Sequence, residues 1–208
     1  MDPSRSAVGP GAAARPGTSY SKGMSTHTYP HTIENGAGER LTFFRRVPGP
    51  NGDRLEGDNV VAPGAGPPMH VHYHQEEALT VLEGQLGYER PGQPARFAGP
   101  GETVVFRAGE AHRFWNAGEE ILRCAGWIEP ADNVEYFLGA IFESQKRSGG
   151  SRPRLLDAAF LARRYRDEFG LLEIPAPVQR FVFPVLVAVG GLLGRYGKYA
   201  DAPEPVRR

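Results

Sequence analysis

Residues 64–84 of this 208-residue chain read GAGPPMHVHYHQEEALTVLEG and place His70, His72, His74 and Glu77 close together. A second stretch, GETVVFRAGEAHRFWN (101–116), adds His112. Side chains alternate faces along a strand, so His70 and His72 project the same way. With a carboxylate nearby and a histidine from a distant strand, the set offers three imidazoles and one oxygen, which suits a first-row transition metal.

The elements that must position these groups read as short strands. Runs at 41–47, 58–62, 69–74, 78–83, 85–90, 95–98, 103–107, 112–116 and 121–128 are separated by turn signals such as PGPNGD, APGAGPP and GPGE. Many short strands with Gly/Pro turns indicate an antiparallel sandwich or barrel, so the fold class is mainly β. After Pro130 the pattern changes. Val134, Phe137, Leu138, Ile141 and Phe142 form a helical stripe, with Asp132 as the expected N-cap. A second helix is expected over about 155–169, carrying Leu161, Tyr165 and Phe169 four apart, with Gly170 placed to end it. The expected domains are a disordered tail over 1–25, a β-barrel over 26–130 and a helical extension over 131–208.

Composition narrows the function. The formal net charge is zero, which gives no reason to expect a nucleic-acid partner. Residues 146–208 nevertheless carry 12 Lys/Arg against 6 Asp/Glu, a mild hint of an anionic partner or surface, or of docking onto the acidic remainder. The single cysteine, Cys124, excludes an internal disulfide and lies in an apolar run that favours a buried, inert thiol. The Gly/Pro/Ala/Ser-rich N-terminus shows no secretory pattern and leaves Met24 as a possible start, so a cytoplasmic location is expected. Segment 178–199 has an uncharged run of about 14 residues between Arg180 and Arg195, short for a membrane span. An appended helix covering the barrel or a second copy is favoured there over contact with a membrane surface.

At the two histidine stretches the chain resembles the cupin superfamily. Gly64, His70, His72, Glu77 and Gly84 match the first cupin motif without exception. Gly101, Gly109, His112 and Asn116 match the second, with Arg107 where proline is expected, which puts the local turn in doubt. With its C-terminal helices the chain looks like a bacterial single-barrel cupin of the cupin 2 type. The resemblance implies a jelly-roll β-barrel with appended helices and one divalent metal held by His70, His72, Glu77 and His112. Fe2+ is favoured, with Mn2+, Ni2+, Zn2+ or Cu2+ as alternatives. It also implies a homodimer and a small-molecule substrate.

The residues agree from their own side. Glu77 shares its strand face with Leu79 and Val81, and a buried carboxylate without a partner is expensive, so coordination would remove that cost. His74 shares the face of His70 and His72 but stands outside the motif, as a rim residue. Glu76 should face outward. Phe106, Phe114, Trp115 and Trp127 are candidate pocket walls, though plain core is the commoner fate of such aromatics.

Three functions compete on these grounds. The favoured one is a metal-dependent oxidoreductase, an Fe(II)-type dioxygenase acting on a small molecule that chelates through two oxygens. Next is a non-redox isomerase or cyclase in which the metal acts as a Lewis acid and Glu77 serves as catalytic base. The third is a non-catalytic binding cupin; no helix-turn-helix pattern accompanies it here.

Overall fold

The structure, a computed structural model, describes residues 28–207. The tail expected over 1–25, and with it Met24, lies outside the described residues.

Eleven strands and three α-helices follow in order among the described residues. The main sheet has six strands, ordered β1-β2-β3-β10-β5-β8: β1 (His31–Glu34), β2 (Glu39–Gly49), β3 (Gly52–Val61), β10 (Leu122–Glu129), β5 (Glu76–Glu83) and β8 (Thr103–Phe106). Opposite it, β6 (Leu86–Glu89) pairs with both β7 (Arg96–Ala98) and β9 (Arg113–Asn116). The short strand β4 (His70–His72) belongs to neither sheet and is tied in by an isolated antiparallel bridge from His70 to His112. This is a jelly-roll β-barrel, mainly β as the strand pattern leads one to expect. Period-2 alternation turns Leu79, Val81, Val104, Phe106, Phe114, Leu122 and Cys124 into one buried core. Cys124 lies within it, and burial pushes its thiol up to about 12, so it stays an inert apolar filler.

The C-terminal extension begins with α1 (Val134–Ser148). Its N-cap is Asn133, not Asp132. Asp132 takes a left-handed backbone at φ 37, while the Asn133 amide is buried and donates to Glu168 and to the Glu204 carbonyl. Helix α2 (Leu155–Arg164) ends five residues earlier than expected, because Phe169 and Gly170 belong to a strand, β11 (Phe169–Leu171). That strand pairs antiparallel with β4, with Phe169 opposite His72 and Leu171 opposite His70. Gly170 therefore does not cap a helix. A Cβ there would lie 2.8 Å from Val71 Cγ1 and 2.5 Å from the Tyr73 hydroxyl, so the close strand approach requires glycine. Long-range strand pairing overrides the local helical spacing of Leu161, Tyr165 and Phe169.

A second core joins the two parts. Phe43 and Leu55 of the main sheet pack with Val134, Leu161, Tyr165, Phe169 and Tyr199 of the extension. The chain end is strapped back onto it: Tyr165 donates its hydroxyl hydrogen to the Pro203 carbonyl, and the Val206 amide donates to Glu168. A π-helical turn (Val178–Val182) leads into α3 (Phe183–Leu192). Among the described residues no helix is long and apolar enough to cross a membrane.

Candidate metal centre

The barrel brings together four side chains that sit far apart in sequence. His70 and His72 flank Val71 on β4, which sends both imidazoles to one side. Glu77, the second residue of β5, pairs with Phe106 of β8. His112 reaches the group because its backbone pairs directly with His70, each amide donating to the other's carbonyl at 2.9 Å. One donor atom from each of His70, His72, Glu77 and His112 lies within 4.8 Å of all the others. Three of the four are buried and His70 is half-buried.

The hydrogen bonds around this cluster decide which nitrogens are available. His70 Nδ1 lies 2.8 Å from the Pro68 carbonyl and His112 Nδ1 lies 2.9 Å from the Glu110 carbonyl. A carbonyl can only accept, so Nδ1 of each ring carries the hydrogen and Nε2 keeps its lone pair. His112 Nε2 then faces Glu77 Oε2 at 3.1 Å, and His72 Nε2 lies 3.7 Å from the same oxygen. A neutral His112 and an ionised Glu77 would aim lone pairs at each other across this distance. Either a second proton or a cation must lie between them. A divalent cation satisfies the whole donor set at once, and three nitrogens with one carboxylate oxygen match a first-row transition metal. The donor set fits the group.

Electrostatics keep the donors in their binding forms. Burial pushes His70 down to about 3, with His72 and His112 adding to the effect. It pushes His72 down to about 4, against an opposing pull from Glu77. Burial acts on Glu77 the other way, but the adjacent imidazoles of His112, His72 and His70 hold its carboxyl down at about 2. At neutral pH, therefore, His70 and His72 are neutral and Glu77 is ionised. His72 Nδ1 is buried with no hydrogen-bond partner among the described residues, so its ring is held by packing: Phe169 meets it edge-on at 5.4 Å. Phe106 stacks on His112 with centroids 3.9 Å apart.

The turn that lacks its expected proline is closed by other means. Glu110 accepts from the Arg107 amide at 2.9 Å and forms an ion pair with Arg90, while the Gly109 amide donates to the His72 carbonyl at 2.7 Å. Arg107 itself points away from the donors as an exposed side chain. Asn116 braces the barrel end by donating to the Val61 and Glu120 carbonyls. His74 is half-buried and stands outside the four-donor group. Of the aromatics weighed as walls, Phe114 is core and Trp115 packs edge-on against Phe97. Trp127 contributes to the lining of the cavity beside Glu77 and carries the Arg54 guanidinium over its ring at 4.2 Å.

That cavity is lined by Leu41, Phe43, Leu55, Leu79 and Ile128 around Glu77 and Asn59. Gly57, Gly126 and Leu79 lie in one row across the sheet; a Cβ on Gly57 would collide with the Thr42 carbonyl, so the close strand approach requires glycine there. No lysine or arginine lines it. Sequence reading missed its polar end. Asn59 is buried, donates to Glu39 at 3.1 Å and leaves its own Oδ1 without a partner among the described residues. Burial raises the Glu39 carboxyl to about 7; the Asn59 hydrogen bond lowers it, and the charge of Glu77 raises it further. The available signal was a carboxylate and an amide, Glu39 and Asn59, on inward-facing positions of adjacent strands, but their pairing depends on the β2–β3 register.

Residues 59–128 match the family model of the cupin domain, Cupin_2. The probable oxidoreductase virH of Hypocrea virens is 32% identical over 68 residues, 32% of this chain and 31% of that protein. The oxidoreductase iacF of Pestalotiopsis fici is 30% identical over 105 residues, 50% of this chain and 47% of that protein. These matches therefore span a third to a half of the relatives' length, and both relatives are fungal. Among solved structures, an uncharacterized conserved protein with a double-stranded β-helix domain from Klebsiella pneumoniae is similar at 18% identity, covering 51% of this chain and 78% of its own, with a TM-score of 0.39.

Proposed function

We propose, from the cupin-domain match over residues 59–128 and the four converging donors, that this protein is a metal-dependent oxidoreductase acting on a small, largely apolar organic molecule, and that its chemistry is Fe(II)-type dioxygenation. One observation carries the reading: His112 Nε2 and Glu77 Oε2 face each other at 3.1 Å while His112 Nδ1 is already committed to a carbonyl. His70, His72, Glu77 and His112 would hold the ion. When bound, it would supply a Lewis-acidic, redox-active centre able to bind a chelating substrate and activate O₂.

The chain's own residues prepare the rest. Glu77, held ionised, contributes negative charge and is a poor proton acceptor at neutral pH, which favours the ligand role over that of catalytic base. Leu41, Phe43, Leu55, Leu79 and Ile128 would exclude water and receive an apolar skeleton. Asn59, its amide fixed by Glu39, forms the buried polar end of the cavity. A cavity without lysine or arginine is a poor receptor for a sugar phosphate, which favours oxidoreduction of an apolar molecule over isomerisation of a phosphorylated sugar. The oxidoreductase names of two fungal relatives support the same class.

The test is metal analysis followed by oxygen uptake. Protein purified without chelators should carry about one equivalent of metal, and His72→Ala/His112→Ala should carry none. Iron-loaded protein should consume O₂ with hydroxy-ketones, diketones or apolar phenols. Turnover that continues unchanged without O₂ would replace dioxygenation with isomerase or cyclase chemistry on the same donors. Failure of the wild type to take up any metal would overturn the reading.

A further inference from the structure

Helix α3 and the turn before it present opposite faces to different surroundings. On the inner side Phe183 and Gly190 are buried. A Cβ on Gly190 would collide with the Tyr196 hydroxyl, and Tyr196 in turn stacks on Phe160 at 4.5 Å. On the outer side Phe181, Val185, Val189 and Leu192 recur at helical spacing with Val182 and Leu193 beside them, and all six are exposed; Leu192 is 90% exposed and Phe181 66%. A surface helix ordinarily shows polar residues to water. An unbroken apolar stripe of this kind marks an interaction surface.

The charges around the stripe indicate what covers it. Between Glu173 and Asp201 the chain has no acidic residue, and it has three cations, Arg180, Arg195 and Lys198. Lys198 is paired with Asp157 at 2.6 Å. Arg180 and Arg195 are exposed, one at each end of the stripe, and the Arg180 guanidinium lies 5.6 Å from the Phe181 ring centroid. A second copy laid antiparallel on this face would set Arg180 against Arg195, and a parallel one would set each arginine beside itself. Neither arrangement finds an acid within the segment. A sheet of anionic headgroups over hydrocarbon complements both features. The π-helical turn and α3 together make fifteen helical residues, about 20 Å long, less than a bilayer core of about 30 Å, so the contact lies in the plane of the surface.

We propose that the outer face of residues 180–195 docks on an anionic phospholipid bilayer. Phe181, Val185, Val189 and Leu192 enter the headgroup boundary, and Arg180 and Arg195 engage the anionic headgroups. This revises the expectation that the segment covers the barrel or a second copy. It also stands apart from the metal centre, since none of these residues belongs to it.

Vesicle co-sedimentation of the full chain tests the proposal, using equimolar phosphatidylcholine and phosphatidylglycerol beside pure phosphatidylcholine. The protein should sediment with the mixed vesicles and at least about tenfold less with the neutral ones. Val185→Ser/Leu192→Ser should reduce binding to the mixed vesicles by about tenfold or more, with an unchanged circular dichroism spectrum and thermal midpoint, because both side chains point outward. Arg180→Gln/Arg195→Gln should abolish the preference for the anionic vesicles. No sedimentation of the wild type with the mixed vesicles would overturn the proposal. So would a serine pair that binds vesicles normally but converts a dimer to a monomer in sedimentation equilibrium, which would assign the face to a second copy.

Discussion

Phe169 of the C-terminal extension stands directly opposite His72 in the β11–β4 ladder, and its ring meets the imidazole edge-on at 5.4 Å. Because His72 Nδ1 has no hydrogen-bond partner among the described residues, that aromatic contact orients a ring which elsewhere in the site is fixed by a carbonyl. The extension is thus part of the candidate centre and not merely attached to the barrel. Phe169→Ala should cost about 3–5 kcal/mol of stability as a large-to-small core change. It should also weaken metal binding by about tenfold through loss of ring orientation. Denaturant titration with and without metal separates the two effects.

Gly170→Ala tests the same strand pair by crowding instead of deletion. The added methyl would meet Val71 Cγ1 at 2.8 Å and the Tyr73 hydroxyl at 2.5 Å. Tyr73 is exposed and can swing away, but Val71 is buried and cannot. The expected cost is about 1–3 kcal/mol, read from the urea midpoint, with β4 displaced and metal affinity lowered alongside. An unchanged midpoint would mean that β11 does not press on β4.

Binding of a divalent ion to the folded chain alone should stabilise it. At free metal one hundred times the dissociation constant the gain is about 2.7 kcal/mol, or roughly 5–10 °C in the thermal midpoint of a chain this size. Glu77→Gln should remove that increment, since the amide supplies no negative charge to the cation. Scanning calorimetry of both proteins with and without added Fe(II) under anaerobic conditions decides it.

Glu39 sets a pH dependence with a definite sign. Its folded carboxyl lies at about 7 against 4.5 in the unfolded chain, so the folded state holds the extra proton between those values. Stability contributed by this group is present below about 4.5 and is lost as pH rises through about 7. At about 1.4 kcal/mol per unit the full loss is on the order of 3 kcal/mol. Glu39→Gln keeps a neutral hydrogen-bonding group and should flatten the decline, becoming more stable than wild type at pH 8 but not at pH 4. Parallel slopes for the two proteins between pH 5 and 8 would show that Glu39 is not buried as described.

The motif histidines and their strand were legible in sequence for a local reason. Alternation along an extended chain puts His70 and His72 on one side whatever surrounds them, and Leu79 and Val81 betray the inward face that Glu77 shares. Turn-forming Gly/Pro clusters likewise mark the breaks between barrel strands without reference to distant residues. Tertiary structure decided the rest. Leu161, Tyr165 and Phe169 have helical spacing, yet a vacant edge on β4 draws Phe169 to Leu171 into a sheet, because pairing that edge outweighs one more helical turn. Glu39 and Asn59 are ordinary polar residues until the β2–β3 register buries them together behind the cavity. The apolar character of residues 181–193 is visible in one dimension, but which side of the helix is buried and which is exposed follows only from how Phe183 and Gly190 pack. Local periodicity specifies faces; only the folded chain specifies what each face meets.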